Sequence, residues 1–415
     1  MTRPRILYVV ATCPFPAKRG KNIRQGAILT SLITCGETSL VVLDPPVSGP
    51  PADIIGLAGL HLLPGRMRID PLSDLALVQS TLRRGHGIMS RKYLHPLAMD
   101  RFAALLDRLA PDLVVLGGID MAALVEPCLR RGLTVVVDSD DLQSLRTARI
   151  CSSLPLGAQR LFFRLLTHNY RAIERRSLAR VDQVWVSSAR ESLLARHLYD
   201  LRSVHFVPNV LDLARYRPQA VPCGPEPVIG FLGNYSYLPN EQAALALIAM
   251  HGRLRAAGHR CRLTLIGIGP SAAMRAAAAG NQGIVITGEV PEIAAALAEV
   301  TVMAVPLIAG GGTKIKVLES MALGKPLIMT EVGAEGLGVV PGRDAVVCDL
   351  DRFENELIAL LADPQRCTAI GAAGRALVEQ RFSLAALQQQ IAGLVGEVLA
   401  HARPKRASSG RRRAA

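Results

Sequence analysis

The sequence is poor in aromatic and charged residues. Only 4% of its 415 residues are aromatic and 20% are charged, whereas 50% are hydrophobic; the mean hydropathy is +0.27. Disordered proteins show the opposite balance, so that class is excluded. A core built from Leu, Val, Ile and Ala is typical of a parallel α/β protein rather than a β-sandwich. The shortage of aromatic rings also argues against a nucleic-acid partner, because such surfaces stack bases on aromatic side chains.

Long hydrophobic runs are missing as well. No uninterrupted apolar stretch reaches the ~18 residues of a membrane-spanning helix. The segment that comes nearest to this length, Ile293–Ile308, is interrupted by Glu299 and Pro306. The run Ile6–Ala11 is short for a signal peptide and predicts a first β-strand instead. We therefore expect a cytoplasmic protein, with the inner face of the cytoplasmic membrane as the place of any peripheral contact.

Paired cysteines are absent from the pattern. The eight cysteines are scattered, and no two of them form a C-x-x-C pair. This favours buried free thiols in a reducing compartment and gives no support to a metal site.

Basic residues are in excess. Lys and Arg outnumber Asp and Glu by 48 to 34, a formal charge of +14. The segment Arg403–Arg413 carries six of these cations and no acid, so we expect residues 403–415 to form a disordered basic tail. A basic protein can face nucleic acid, anionic lipid or a phosphorylated small molecule, and charge alone does not choose among them.

Short runs of Val, Ile and Leu alternate with longer amphipathic segments in two successive series. The predicted strands are Ile6–Thr12, Ser39–Asp44, Leu113–Gly118, Leu133–Asp138, Gln183–Ser188 and Val204–Pro208, then Val228–Gly233, Arg262–Gly267, Gly283–Gly288, Thr301–Pro306, Pro326–Thr330 and Ala345–Cys348. Runs without alternation indicate strands covered on both faces, as in parallel sheets. The proline-rich stretch Tyr216–Pro227 separates the series. We predict an α/β protein with two Rossmann-like, doubly wound domains, residues 1–210 and 211–382, facing across a ligand-binding cleft.

The segment after the strand ending at Pro306 carries the strongest chemical signal. Gly310–Gly312 allow close backbone approach to a ligand, and a predicted helix over 313–324 offers free N–H groups at its start. Lys314 and Lys316 add cations there, which calls for an anion such as a diphosphate. The carboxylate of Glu319 is suited to a sugar's vicinal hydroxyls. The alternative is a plain glycine turn with a Lys316–Glu319 ion pair.

These residues resemble the group 1 glycosyltransferases, whose fold is called GT-B and consists of two Rossmann-like domains. The likeness is densest over Val228–Leu337 and is closest to bacterial exopolysaccharide-associated sugar transferases. The family signature is two glutamates separated by seven residues. By resemblance, Glu319 is the second and would hold the nucleotide ribose, with Gly312 and Thr313 beside the donor. The first falls on Gly311, so its sugar contact must come from backbone N–H groups or another side chain.

The resemblance implies further donor contacts. The family carries an arginine and a lysine after the first strand of the second domain; here that loop begins Gly233-Asn234 and lacks both, so Lys314 or Lys316 would replace them. The loop containing Glu289 is similar to the one that meets the nucleotide base. Asn234 could equally be a simple turn residue.

In the first domain, a glycine-containing basic loop resembles the one that faces donor and acceptor, which makes Gly20 and Arg24 candidate donor ligands. A buried strand ends in three carboxylates, which cost energy unless a cation or a hydroxyl meets one of them. Asp138 is the first candidate for orienting the acceptor hydroxyl and Asp140 the second. Capping of the next helix by Asp140 or Asp141 is the alternative.

The resemblance implies transfer of a sugar from a nucleotide-sugar to a saccharide or lipid-linked acceptor, with retained configuration and without cofactor or metal. The family's last helix crosses back, so residues 383–402 should pack on the first domain. The helix Gly157–Arg180 mixes apolar and arginine residues and either lies on anionic lipid or packs on its own sheet. Alternative functions are a sugar-nucleotide epimerase of the same fold and a catalytically degenerate nucleotide-sugar binder.

Overall fold

The computed structural model describes residues 3–15, 20–44, 54–63, 96–309 and 314–401. The first sheet has seven strands: β1 Arg5–Thr12, β2 Glu37–Asp44, β3 Gly59–Leu62, β4 Leu113–Gly117, β5 Thr134–Asp140, β6 Gln183–Val186 and β7 Val204–Phe206. Their order is β3-β2-β1-β4-β5-β6-β7, and all neighbouring pairs are parallel. The order reverses between β1 and β4, where doubly wound sheets bind their ligands.

Helices cover both faces of this sheet. They are α1 Gly20–Cys35, α2 Pro96–Leu109, α3 Val125–Arg130 (after a 3-10 turn Ile119–Leu124), α4 Gln143–Ser153, α5 Ala158–Leu178 and α6 Ala189–Tyr199. Along β1, Leu7 and Val9 join one apolar cluster, whereas Ile6, Tyr8 and Val10 join the other. Burial on both faces explains why this strand is uniformly apolar rather than alternating.

The second sheet has six parallel strands: β8 Val228–Leu232, β9 Arg262–Ile266, β10 Ile284–Gly288, β11 Val302–Val305, β12 Leu327–Met329 and β13 Val346–Val347. Their order is β10-β9-β8-β11-β12-β13. The helices are α7 Leu238–Ala256, α8 Ala272–Ala278, α9 Ile293–Leu297, α10 Ile315–Ala322, α11 Glu331–Ala334, α12 Leu350–Leu361 and α13 Pro364–Arg381. A single apolar cluster unites this domain.

The prediction of two Rossmann-like parallel-sheet domains is confirmed. Helical patterns at about 24–35, 99–109, 121–131 and 157–180 predict four helices of the first domain, but neither the short, half-exposed edge strand β3 nor the helices α4 and α6 were predicted. The strand predicted to end at Asp138 continues to Asp140. Helix α10 begins at Ile315, two residues later than predicted, because Lys314 has extended backbone.

The chain crosses between the domains twice, and the two crossings lie side by side. The Leu211 N–H donates to the Phe382 carbonyl at 2.9 Å. After the second crossing, helix α14 (Leu384–Ala400) packs on the first domain, where Ile391 shares a cluster with Leu32 of α1. The two connecting segments are therefore parallel neighbours. Among the helices of the described residues, none is both long and apolar enough to cross a membrane.

Candidate active site

The carboxyl ends of the two sheets face each other across a cavity of about 1020 Å³. Its first-domain wall is formed by the ends of β4 and β5 and the start of α1. Its second-domain wall is formed by the loops after β8, β9 and β10 and the start of α10. Of the predicted site residues, the cavity is lined by Arg24, Asp138, Asp140, Gly233, Asn234, Glu289, Lys314, Lys316 and Glu319.

A buried ion pair forms the floor of the first-domain wall. Arg24 on α1 donates to Asp138 at the end of β5, with 2.6 Å between Nη2 and Oδ1, and both side chains are 2% exposed. The remaining amino group of Arg24 donates to the Val207 carbonyl and to Asn209 Oδ1, at 2.9 and 3.0 Å. Burial disfavours the Arg24 cation, but the attraction of Asp138 and Asp140 outweighs it and raises the pKa of the guanidinium.

The backbone at the end of β5 turns a second carboxylate into the cavity. The pairing of β5 with β6 shifts register between Asp138 and Asp140, and Asp140 adopts a left-handed conformation with φ of 59°. Such a conformation is sparsely populated and costs of order 1–3 kcal/mol, although Asp tolerates it better than most residues. The Asp140 side chain is 37% exposed and lies 3.4 Å from Arg24 Nε. Burial, together with Asp138, raises the pKa of Asp140.

On this wall the structure differs from two predictions made from the sequence. Arg24 was expected to bind the donor, yet its N–H groups are directed to acceptors of its own domain, so it acts as a support for the carboxylates. The capping alternative is wrong: α4 begins at Gln143, and its N-cap residue Leu142 makes no side-chain hydrogen bond. Asp141 instead accepts from Ser187 Oγ at 3.2 Å.

On the second-domain side, Gly233 and Gly267 line the cavity. A Cβ on Gly267, at φ +138°, would lie 1.8 Å from the Gly233 carbonyl oxygen, so the ends of β8 and β9 approach as only glycine allows. Asn234 follows, and its Oδ1 accepts a hydrogen bond from the Ser236 N–H at 3.0 Å. This local contact fits the interpretation of Asn234 as a turn residue. Asn234 is exposed and still borders the cavity.

Two lysines enter the cavity from the start of α10. Lys316 Nζ donates to Asn240 Oδ1 on α7 and lies 4.6 Å from the ring centroid of Phe231. Burial, with a smaller contribution from Lys314, lowers the pKa of Lys316 to about 7. Lys314 Nζ lies 3.6 Å from Glu335 Oε2, which opposes the lowering of its pKa by burial. Both ammonium groups are thus partly desolvated, which strengthens their attraction for an anion.

Glu319 lies one turn further along α10. It is 8% exposed, and its Oε1 accepts from the Tyr216 hydroxyl at 2.9 Å. Burial raises the pKa of Glu319 to about 7, and the hydrogen bond from Tyr216 acts in the opposite direction. The alternative Lys316–Glu319 pair is therefore not formed, because each side chain has its own partner.

The remaining residues predicted to bind the donor are Glu289, Gly20, Gly311, Gly312 and Thr313. Glu289 follows β10 directly and is exposed at the rim of the cavity. Gly20 is the first residue of α1. Gly311, Gly312 and Thr313 lie outside the described residues.

The structure adds site residues that the sequence did not reveal. Arg146 on α4 lies 5.9 Å from the ring centroid of Tyr237 in the other domain. Tyr216, in the connecting segment, reaches Glu319, and Asn240 reaches Lys316. These residues come from three separate elements, and only the folded chain brings them together. A helix prediction over 143–153 would have suggested Arg146.

Comparison with known proteins matches this second domain to a family. Residues 226–363 match the family model described as "Glycosyl transferases group 1", a segment that includes the lysine and glutamate wall. The fold is GT-B. The two sheets of the described residues show that fold, and so does their superposition on solved structures.

Relatives of the chain are sugar-transferring proteins. It is 31% identical over 162 residues to a GDP-mannose-dependent monoacylated alpha-(1-6)-phosphatidylinositol monomannoside mannosyltransferase of Corynebacterium glutamicum. That match spans 36% of this chain and 42% of the relative, less than half of each. Sucrose-phosphate synthase of Thermosynechococcus elongatus superposes with a TM-score of 0.75 at 17% identity, covering 96% of this chain and all of that one.

A second solved GT-B neighbour contains ligands. HepE of Anabaena, in complex with UDP and glucose, gives a TM-score of 0.67 at 14% identity over 95% of this chain and 99% of that one. Neither the family model nor these neighbours is an epimerase, so the comparisons do not favour that alternative.

Proposed function

We propose that the protein is a glycosyltransferase that moves a sugar from a nucleotide-sugar to a saccharide or lipid-linked acceptor, in polysaccharide or glycoconjugate synthesis of the exopolysaccharide type. One observation carries the proposal. A single cavity between GT-B domains has two desolvated ammonium groups and a buried carboxylate on one wall and two carboxylates on the opposite wall.

The second-domain wall suits the donor. A diphosphate placed at the start of α10 would meet the ammonium groups of Lys314 and Lys316 and the free N–H groups of the helix. Glu319 would accept hydrogen bonds from the ribose hydroxyls. As the glycosidic bond to the phosphate breaks, the same cations stabilise the negative charge of the leaving nucleoside diphosphate. We propose that these charges make a metal ion unnecessary.

The first-domain wall suits the acceptor. Asp138 is engaged by Arg24, whereas Asp140 keeps 37% of its side chain exposed toward the cavity. We therefore place Asp140 against the acceptor hydroxyl and give Asp138 the task of holding Arg24. In line with the family, we propose that the transferred sugar retains its configuration.

The decisive test measures nucleoside diphosphate release from UDP-, GDP- and ADP-hexoses, in parallel with and without EDTA. The wild-type protein should release nucleotide from at least one donor, and Glu319→Gln should reduce that release at least tenfold. The variant Glu292→Gln is a matched control, because Glu292 borders the same cavity and is exposed. Thermal stabilisation by a donor without turnover would support the degenerate binder, and interconversion of free sugar nucleotides would support the epimerase. Loss of turnover in EDTA would contradict the metal-free proposal.

A lipid-linked acceptor fits an exposed apolar surface on the first domain. The first half of α5 presents Leu161, Phe162 and Leu165 at 58%, 52% and 56% exposure, while the second half packs Ile173 into the core. Arg164 is exposed between the apolar residues. Apolar side chains beside cations are typical of helices that lie on anionic bilayers. We propose peripheral contact at the inner face of the cytoplasmic membrane through this surface. The basic tail, which lies outside the described residues, would add to it.

Co-sedimentation with vesicles tests this placement. The wild-type chain should bind vesicles containing anionic lipid better than neutral ones, and Phe162→Glu should weaken that binding. Leu350→Glu is the matched control, because Leu350 is an exposed apolar residue of the second domain at 43% exposure. Equal binding of all three proteins would remove this surface from the proposal.

A further inference from the structure

A group of charged side chains that includes Lys314 connects the two domains. Arg149 donates through both terminal nitrogens to Glu335, with 2.7 Å from Nη1 to Oε2 and 2.8 Å from Nη2 to Oε1. Lys314 Nζ lies 3.6 Å from the same Oε2. We call these three residues the Glu335 bridge.

The members of the Glu335 bridge belong to different domains. Arg149 lies on α4 of the first domain, whereas Glu335 directly follows α11 and Lys314 directly precedes α10 in the second. The Glu335 side chain is 7% exposed, so its two partners act in a partly desolvated setting. A bidentate pair of this kind is strong and directional.

The Glu335 carboxylate interacts with two cations, Arg149 and Lys314. Burial opposes ionisation of this carboxyl, but the hydrogen bonds from Arg149 and the charge of Lys314 outweigh burial and lower its pKa. If the domains separate, Glu335 loses Arg149 and is left to neutralise Lys314. If the domains close, Arg149 takes both carboxylate oxygens, and more of the Lys314 charge can act on a ligand in the cavity.

We propose that Arg149 and Glu335 are positioning residues that make the charge of Lys314 available to the donor diphosphate when the cleft is closed. The inference deepens the proposed function and rests on it. With the domains together, Arg149 and Lys314 share the Glu335 carboxylate, so Glu335 neutralises less of the Lys314 charge than it would alone, and a bound diphosphate that attracts Lys314 in turn leaves Glu335 to Arg149. Because such coupling is reciprocal, nucleotide binding and cleft closure strengthen each other.

A double-mutant cycle across the two domains tests the coupling. Binding of GDP and UDP is measured by calorimetry for wild type, Arg149→Met, Lys314→Met and the double variant. Arg149→Met should weaken binding of the preferred nucleotide about 5- to 20-fold. In the Lys314→Met background the same substitution should have almost no effect. Additive losses would show that Arg149 acts without Lys314 and would overturn the proposal.

Small-angle scattering of the ligand-free proteins provides a readout that does not depend on nucleotide. Arg149→Met should have a larger radius of gyration than wild type, and Arg149→Lys should lie between them, because lysine keeps the charge but not the bidentate pair. Arg190→Met is the matched control. Arg190 approaches Glu335 at 3.9 Å with its side chain 71% exposed, and its removal should change neither affinity nor radius.

The outcomes separate the two proposals. If neither nucleotide binds the wild-type protein, the proposed function fails, and the bridge proposal, which rests on it, fails with it. If nucleotide binds but the cycle is additive, the bridge proposal fails while the proposed function stands. An unchanged radius of gyration in Arg149→Met likewise overturns the bridge.

Discussion

Replacing Lys316 by methionine should make the protein more stable and less able to bind nucleotide. The methionine keeps the length of the side chain and its contact with Phe231 but removes the ammonium group. Burial lowers the pKa of Lys316 from 10.5 to about 7, which corresponds to roughly 5 kcal/mol against the charged form at about 1.4 kcal/mol per pH unit. Loss of the hydrogen bond to Asn240 costs about 1–3 kcal/mol and offsets part of this gain.

The net expectation is a gain of about 2–4 kcal/mol in the free energy of unfolding at pH 7, or roughly 4–16 °C in melting temperature. Loss of a charge-assisted contact to the diphosphate should weaken nucleotide binding by about 10- to 150-fold. Opposite signs of the two effects would mark Lys316 as a residue kept for binding rather than for stability.

The stability gain should depend on pH in a definite direction. The folded-state pKa of Lys316, about 7, lies below its unfolded value, so the penalty for burying the ammonium is complete below pH 7 and disappears toward pH 10.5. The difference between Lys316→Met and wild type, measured by thermal melts, should therefore shrink by about 2–3 kcal/mol between pH 7 and pH 9, which removes most of the gain.

Lys21→Met provides the control for the same experiment, because Lys21 is an exposed cation that borders the same cavity. It should leave the melting temperature within about 1 °C of wild type, as exposed substitutions usually do. A destabilised Lys316→Met protein, or one that binds nucleotide as well as wild type, would refute the reasoning.

Three further predictions concern the cavity. Tyr216→Phe removes the hydrogen bond that favours ionised Glu319, so nucleotide affinity by calorimetry should fall more at pH 6 than at pH 8, and an equal loss would contradict this. Gly267→Ala should lower the melting temperature strongly because its Cβ would overlap a backbone carbonyl, whereas Gly252→Ala, in open space on α7, should not. Nucleotide affinity of the wild type should peak near pH 7, since Lys316 loses its proton above and Glu319 gains one below; a flat profile between pH 5.5 and 8.5 would oppose the assignment.

Much of the fold could be predicted because the buried strands are uniformly apolar. The run Ile6–Thr12 predicts β1 with an error of one residue, since a strand covered on both faces shows no polar interruption. Strand β3 escaped because it has four residues at the sheet edge and no fully buried one. Helix α4 could not be predicted from hydrophobic periodicity because its sequence is mostly polar.

The candidate site could be predicted only where its residues share one segment. Lys316 and Glu319 are three residues apart on one helix and Lys314 directly precedes that helix, so their common wall could be predicted. Their partners were not: Tyr216 and Asn240 lie far away in the sequence and meet α10 only through tertiary packing. The support that Arg24 gives to Asp138 was likewise hidden, because α1 and β5 become neighbours only in the folded sheet.

The most direct test of the account is an experimental structure with the nucleoside diphosphate that binds most tightly. The account predicts a diphosphate within hydrogen-bond distance of Lys314 or Lys316 and ribose hydroxyls on the carboxylate of Glu319. It also predicts that Arg149 stays paired with Glu335 in that complex. A nucleotide bound outside the cavity between the two sheets, or one whose ribose does not reach Glu319, would contradict the central claim.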